Sequence, residues 1–179
     1  RFANAANTAA RAGRFNQLAV EPLYHPPRLA ARLHAGPFGA YVLAVSRLEP
    51  VKRVELAVRA MAHAPREISL VVAGAGPELA PLEALAVTLG LGGGRVRFLG
   101  EVGADDLVEL YAGALGVVYP PYDEDYGYVT IEAFLAHKPV VTTTDAGGPT
   151  AFVVDGSNGW VTPPEPEAIG AAIGRLHAD

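Results

Sequence analysis

The chain has 179 residues, half of them apolar, which is enough for one domain with a sizeable core and excludes a disordered chain. Its formal net charge of −5 excludes a generic nucleic-acid surface, so an anionic ligand must be held by local charges and dipoles. The absence of cysteine excludes disulfides and thiolate metal sites, and the longest apolar runs are strand-sized, far short of a membrane span.

The chain begins at Arg1, its single methionine is Met61, and no signal-peptide pattern precedes the core, so it reads as a piece of a longer protein. Residues 2–15 are Ala-rich with Arg11 and Arg14, and are predicted as a helix ended by Gly13. Residues 18–24 read as a short strand or extended linker, and His25-Pro26-Pro27 breaks the pattern. Residues 1–39 are therefore assigned to the end of an upstream domain and its linker, and residues 40–179 to a domain of their own.

That domain alternates strands and helices. Residues 41–46 form a continuous apolar run, as in a strand buried on both faces. Residues 54–64 have helical spacing through Val54, Leu56, Ala57, Ala60 and Met61. Residues 68–73 are the next strand, closed by Gly74-Ala75-Gly76; 79–89 read as helix, 96–99 as strand, 105–112 as helix. Residues 115–119 follow as strand, 129–136 as helix and 140–143 as strand. Gly147-Gly148-Pro149 opens a loop and a short helix, and Asp155-Gly156 and Asn158-Gly159 mark turns. A short strand at Trp160-Val161 precedes a closing helix over 165–177. Such alternation predicts an α/β fold: a Rossmann-like, doubly wound parallel sheet with right-handed crossovers and helices on both faces. Ligands then sit outside the carboxyl ends of the strands, near the switch in strand order. Four segments fall there: Ser46-Arg47, Gly74-Ala75-Gly76-Pro77, residues 119–128 and residues 145–149.

Chemistry concentrates in the third of these. Glu124 and Glu132 are separated by seven residues, the first on a polar, turn-prone loop and the second within a helix that opens after Gly127. The free N–H groups of that helix start, with its positive dipole end, suit an anion. Two carboxylates beside an anion site suit a ligand carrying both phosphates and hydroxyls, such as a sugar nucleotide. Arg47 and Lys52 follow the first buried strand and either converge on a diphosphate, the arginine as a fork and the lysine as a point charge, or are solvated loop cations. Arg53 adjoins them and is easily mistaken for the functional residue. Gly74-Ala75-Gly76-Pro77 is either a tight strand-to-helix turn or a place for close ligand approach, since it lacks the third glycine of a dinucleotide fingerprint. Asp123-Glu124-Asp125 spells a D-x-D pattern, but the acids precede a helix start able to hold phosphate without a cation, so no metal is assigned. The histidines show no ligand spacing.

Taken together, these residues resemble the C-terminal, donor-binding domain of a family 4 retaining glycosyltransferase, one lobe of the two-domain GT-B fold. The resemblance runs from about Val42 to the end. It rests on the order and spacing of Ser46-Arg47-Leu48 with Lys52, Gly74-Ala75-Gly76-Pro77, Phe98-Leu99-Gly100, the E-x7-E pair, and Asp145-Ala146-Gly147-Gly148-Pro149. It implies that Arg47 and Lys52 bind the donor diphosphate, that Glu124 binds hydroxyls of the transferred sugar, and that Glu132 binds the ribose. Arg47, Lys52 and Glu124 would thus serve catalysis. Backbone N–H groups around Gly127, Tyr128, Val129 and Thr130 would meet phosphate and sugar oxygens, and Tyr126 beside them would also bind the donor. The base would lie near Gly76, Pro77 and residues 98–102, with Ser46 and Leu99 also among the donor-binding residues. The donor would be a UDP- or GDP-linked sugar, with no cofactor and no metal. The acceptor site would belong to a missing N-terminal domain, leaving this piece a binding lobe with little or no turnover. The implied location is cytoplasmic, or membrane-peripheral in the intact enzyme. Two departures bear on donor preference: Ser46 where many members have glycine, and Thr150 where an acidic residue is common. A non-catalytic nucleotide-binding or sensor domain of similar fold is the alternative. A retaining glycosidase using the two glutamates ranks below it, because hydrolysis has no need of Arg47 and Lys52.

Overall fold

The structure, a computed structural model, describes residues 1–178. The sheet has six strands: β3 (Tyr41–Val45), β4 (Ser69–Ala73), β5 (Val96–Phe98), β6 (Gly116–Val118), β7 (Val140–Thr143) and β8 (Gly159–Thr162), with the continuous apolar runs β3 and β4 in its interior. Every ladder is parallel and the order is β5-β4-β3-β6-β7-β8. The chain therefore winds outward one way from β3 and the other way from β6. The crevice between the carboxyl ends of those two strands is the switch point. It sets the loop after β3, which carries Arg47 and Lys52, against the loop after β6, which carries Glu124.

Pleating sends alternate side chains to opposite faces. Val42, Ala44, Leu70 and Val72 pack with Val58, Leu82, Ile169 and Ile173, under α2 (Val54–Ala60), α3 (Leu79–Thr88) and α6 (Pro166–Ala178). Leu43, Val71, Val117 and Val140 face Val108, Tyr111 and Ala133, under α4 (Ala104–Gly113) and α5 (Tyr128–Leu135). Leu43 and Leu70 are both fully buried, and truncating either to alanine costs about 2–5 kcal/mol. The predicted doubly wound α/β architecture is the one observed.

Three local expectations are corrected. Residues 2–15 are not one helix: Phe2–Ala3 form β1, which pairs in parallel with β2 (Glu21–Pro22) as a separate two-stranded sheet. The helix α1 (Ala6–Asn16) passes through Gly13 and ends only at Gln17, whose left-handed backbone (φ 54°) turns its N–H onto the Ala12 carbonyl. Helix α2 stops at Ala60, not Ala64. Arg95 takes up carbonyls beyond its end, donating to Met61 and Ala64 at 2.9 Å each and to Pro65 at 2.6 Å. The segment before β3 lies against the sheet and its helices: Leu29 and Leu33 are buried, and the enclosed Lys138 donates to the Gly36 carbonyl at 2.8 Å.

Candidate functional site

Lys52 ends a 3₁₀ turn, Pro50–Lys52, that leads from β3 towards α2. Its ammonium forms an ion pair with Glu124 Oε2 from the loop after β6, and both side chains are largely shielded, at 16 and 19 % exposed. The Tyr119 hydroxyl, at the end of β6, donates to the same carboxylate oxygen at 2.9 Å. Burial, and then the Glu124 charge, hold the Tyr119 phenol far above its ordinary value, so it stays a donor. Glu124 is fixed at its backbone too. Its N–H donates to Ala146 O at 2.8 Å, and its carbonyl accepts from Gly148 N–H at 2.6 Å. The acid loop is thereby stitched to the loop after β7.

Gly127 caps α5 from a left-handed conformation (φ 81°), open to glycine at little cost. Among the described residues, the N–H groups of Gly127, Tyr128 and Val129 donate to no protein acceptor. Thr130 differs from the expectation. Its N–H closes a tight turn onto the Gly127 carbonyl at 2.9 Å, its side chain is fully buried and its Oγ1 has no protein partner, so three N–H groups, not four, are left free at this helix start. Glu132 lies one turn further on. Its Oε2 accepts the Tyr111 hydroxyl at 2.8 Å, and burial raises its carboxyl above the usual range. The Tyr126 ring is buried against Tyr24, His25, Tyr128 and Phe152, and its hydroxyl donates to the His25 carbonyl at 2.7 Å, so the side chain is engaged by the segment that precedes β3.

A cleft of about 460 Å³ opens at the carboxyl ends of β3 and β4, lined by Ser46, Arg47, Gly74, Ala75, Glu101 and Val129 among others, but not by Lys52 or Glu124. Arg47 is at its rim, 76 % exposed and paired with Glu49 at 3.1 Å, so it does not join Lys52 and Glu124 in this arrangement. A side chain at Gly74 (φ 145°) or Gly76 would overlap the carbonyl oxygens of Ser46 or Leu48. The absence of a side chain at both positions therefore serves the packing of one strand-end loop on the other, and Gly74 also lines the cleft. Gly76 and Pro77 lie outside the cleft lining, and Leu99 faces a shallow groove with Val102 and Leu110. A larger cavity, about 580 Å³, sits at the opposite, amino-terminal ends of the strands among Phe38, Pro139, Trp160 and Leu176. None of the residues selected from the sequence lines it.

The remaining acids of the loop are engaged. Asn7 Nδ2, from α1, donates to Asp123 Oδ1 and to the Glu124 carbonyl, both at 2.9 Å, and Arg11 pairs with Asp125 at 2.8 Å. Among the described residues no group of three or more His, Asp or Glu side chains gathers to hold a metal, and no helix is long and apolar enough to cross a membrane. Tyr111, Tyr119, Asn7 and Arg53 belong to the site and were not selected from the sequence. The two tyrosines offered one signal, since a buried phenol needs a partner for its hydroxyl.

Residues 37–179 match the family model for Glycosyl transferases group 1. An uncharacterized glycosyltransferase of Methanocaldococcus jannaschii is 37 % identical over 141 residues, covering 77 % of this chain and 36 % of that protein. The D-inositol 3-phosphate glycosyltransferase of a Mycobacterium species is 39 % identical over 140 residues, covering 74 % of this chain and 31 % of that protein. Among solved structures, Anabaena HepE in complex with UDP and glucose aligns with a TM-score of 0.85 at 27 % identity, over 99 % of this chain and 53 % of that one. Sucrose-phosphate synthase from Thermosynechococcus elongatus aligns at 0.86 and 27 % identity, over 99 % of this chain and 49 % of that one. The chain thus spans about a third of the length of these curated relatives and about half of these solved structures. The parallel six-stranded sheet is that of the Rossmann-like GT-B glycosyltransferase structures.

Proposed function

The chain belongs to the glycosyl transferases group 1 family, and on that premise we propose that it is the C-terminal, donor-binding domain of a family 4 retaining glycosyltransferase. The intact enzyme moves a sugar from a nucleoside diphosphate donor, UDP- or GDP-linked, to an acceptor hydroxyl with retention at the anomeric carbon. Residues 1–39 are the end of the upstream domain and the linker, and that domain supplies the acceptor site. The 179-residue chain by itself binds donor with little or no turnover. The intact enzyme works in the cytoplasm, free or peripheral to a membrane.

One observation carries this reading. A shielded Lys52–Glu124 pair stands at the switch point, next to three free N–H groups at the start of α5. Lys52 and those N–H groups offer positive charge where a leaving diphosphate gains negative charge, and such preorganised donors are worth about 3 kcal/mol each in a transition state. Glu124 is placed to accept from sugar hydroxyls and Glu132 from the ribose. Arg47, on a mobile-length side chain at the cleft rim, reaches the diphosphate on exchanging Glu49 for phosphate. The base occupies the cleft by Ser46 and Gly74. Because backbone N–H groups and Lys52 neutralise the diphosphate, no divalent ion is required. The similarity to a protein solved with UDP and glucose favours UDP as the nucleotide.

The test is calorimetric titration of the chain with uridine, UDP, UDP-glucose, GDP and GDP-mannose. The reading expects a nucleoside diphosphate to bind far more tightly than its nucleoside. No binding of any diphosphate at millimolar concentration would remove it.

A further inference from the structure

Arg53 sits beside Lys52 but its side chain turns away from the cleft. Its backbone is left-handed (φ 48°, ψ 41°), a conformation that side-chain-bearing residues seldom adopt. That twist sends Lys52 to Glu124 while Arg53 reaches beneath the acid loop. There the guanidinium grips Asp145 with a fork, Nη1 to Oδ2 at 2.9 Å and Nη2 to Oδ1 at 2.7 Å. It also donates to the carbonyls of Pro120 at 3.0 Å and Pro121 at 2.8 Å, and to Thr143 Oγ1 at 3.0 Å. Three strand ends meet on this one side chain, which is 17 % exposed.

The partners are the anchors of Glu124. Pro120 and Pro121 immediately precede the acid loop. The Asp145 carbonyl accepts the Asp123 N–H at 3.0 Å, and the next residue, Ala146, accepts the Glu124 N–H. The turn that carries Lys52 is tied to the same loop, the Tyr122 N–H donating to Val51 O at 2.9 Å. With its donors spent in this way, Arg53 has no fork left for phosphate.

We propose that Arg53 is a positioning residue of the donor site: by clamping Asp145 to Pro120 and Pro121 it holds Lys52 and Glu124 in register across the switch point. The proposal rests on the donor-site reading for its functional half, while the clamp itself is tested without ligand. Lysine cannot substitute, because a single ammonium cannot fork a carboxylate and bridge two carbonyls at once. Glycine at position 53 keeps the left-handed backbone and removes only the clamp, so R53G separates positioning from folding.

The experiment compares wild type, R53G, R53K and D145N by amide hydrogen exchange, and by calorimetry with UDP and UDP-glucose. The expected result is exchange roughly tenfold faster at Asp123, Glu124 and Gly148 in all three variants, with β3 and β4 still protected. UDP and UDP-glucose should each bind roughly tenfold more weakly, the loss expected when one charge-assisted contact is misplaced. Added to K52A, R53G should weaken UDP little further, because it acts through Lys52; a general destabilisation would add in full. Unchanged exchange at those three amides, wild-type behaviour of R53K, or full additivity with K52A overturns the proposal. Wild type that binds neither ligand overturns the donor-site reading alone, and the exchange comparison still decides whether Arg53 holds the loop.

Discussion

Replacing Lys52 by alanine separates phosphate recognition from nucleoside recognition. In the free protein its ammonium is shared with Glu124, and both side chains are mostly shielded. A charge-assisted contact to phosphate is worth about 1.5–3 kcal/mol. Its loss also strands the Glu124 carboxylate beside the incoming phosphates, and two like charges about 6 Å apart at an effective dielectric of about 20 repel by ~2–3 kcal/mol. Against this, wild type must give up part of the Lys52–Glu124 attraction when phosphate arrives. The net penalty is then ~2–3 kcal/mol, or about 30- to 150-fold in UDP affinity. Uridine, which carries no phosphate, should bind K52A as it binds wild type. Calorimetry with both ligands measures the two losses side by side, and K52M controls for packing of the aliphatic stem. Equal losses for uridine and UDP would show that Lys52 does not touch phosphate, and the diphosphate assignment would be withdrawn.

The two glutamates should divide their work: E132A weakens UDP itself by ~1–3 kcal/mol if a shielded ribose contact is lost, whereas E124A spares UDP and removes the increment that glucose adds in UDP-glucose. Since E124A also frees Lys52 from its partner, UDP affinity in that variant should hold or rise; matched losses in both variants, for both ligands, refute the division. Donor affinity should be the same in EDTA as in Mg²⁺ or Mn²⁺, and a large loss in EDTA that either ion restores would return Asp123 and Asp125 to metal binding. Alkaline stability follows from the tyrosines. The folded state holds the Tyr111 and Tyr119 protons more tightly than the unfolded chain, mainly through burial, so their contribution is intact below the ordinary phenol value of 10.0 and is lost as pH rises beyond it. Thermal midpoints between pH 8 and 11 should therefore fall less steeply in Y119F than in wild type, and parallel slopes would count against this account.

The sheet was legible because its evidence is local. Runs such as Tyr41–Val45 and Ser69–Ala73 can be buried on both faces only between two helical layers, and alternation with helices fixes a parallel order. Lys52 and Glu124 could be placed near each other because the ends of β3 and β6 flank the switch point in that order. What was not legible depends on contacts far apart in sequence. Arg53 meets partners 67 to 92 positions away, so in the sequence it is one more loop cation. Thr130 failed for the opposite reason: a tight turn onto Gly127 consumes its N–H, a detail below the resolution of helical periodicity. The partner of the Tyr126 hydroxyl was hidden because the segment before β3, which the sequence set apart from the domain, folds back to take it. Gly13 misled because a helix interior tolerates glycine at a cost of only about 1 kcal/mol, and the stop came instead from Gln17 in a left-handed conformation.

The acidic balance raises a physical question: how does a chain of net charge −5 accept a diphosphate at a loop bearing three consecutive acids? The pairing around the cleft answers it. Glu124 is neutralised by Lys52, Asp125 by Arg11, Asp145 by Arg53 and Glu49 by Arg47, while Asp123 is held by the Asn7 amide. Each of these five carboxylates meets its own donor within the protein, which reduces their field at the α5 start and leaves the partial positive charge of the free N–H groups less opposed. One of these cations differs in kind from the others. Arg53 is consumed by its clamp, and the Arg53 guanidinium holds the Asp145 carboxyl below the usual carboxylate range, so that pair stays closed. Lys52 and Arg47 each hold a single carboxylate partner and can exchange it for phosphate without leaving a buried charge alone, because Glu124 keeps the Tyr119 hydroxyl and Glu49 is partly exposed to solvent. Anion binding at this site is therefore an exchange of partners, not the filling of a positive patch. Its salt dependence should accordingly be shallower than the number of cations around the cleft would suggest.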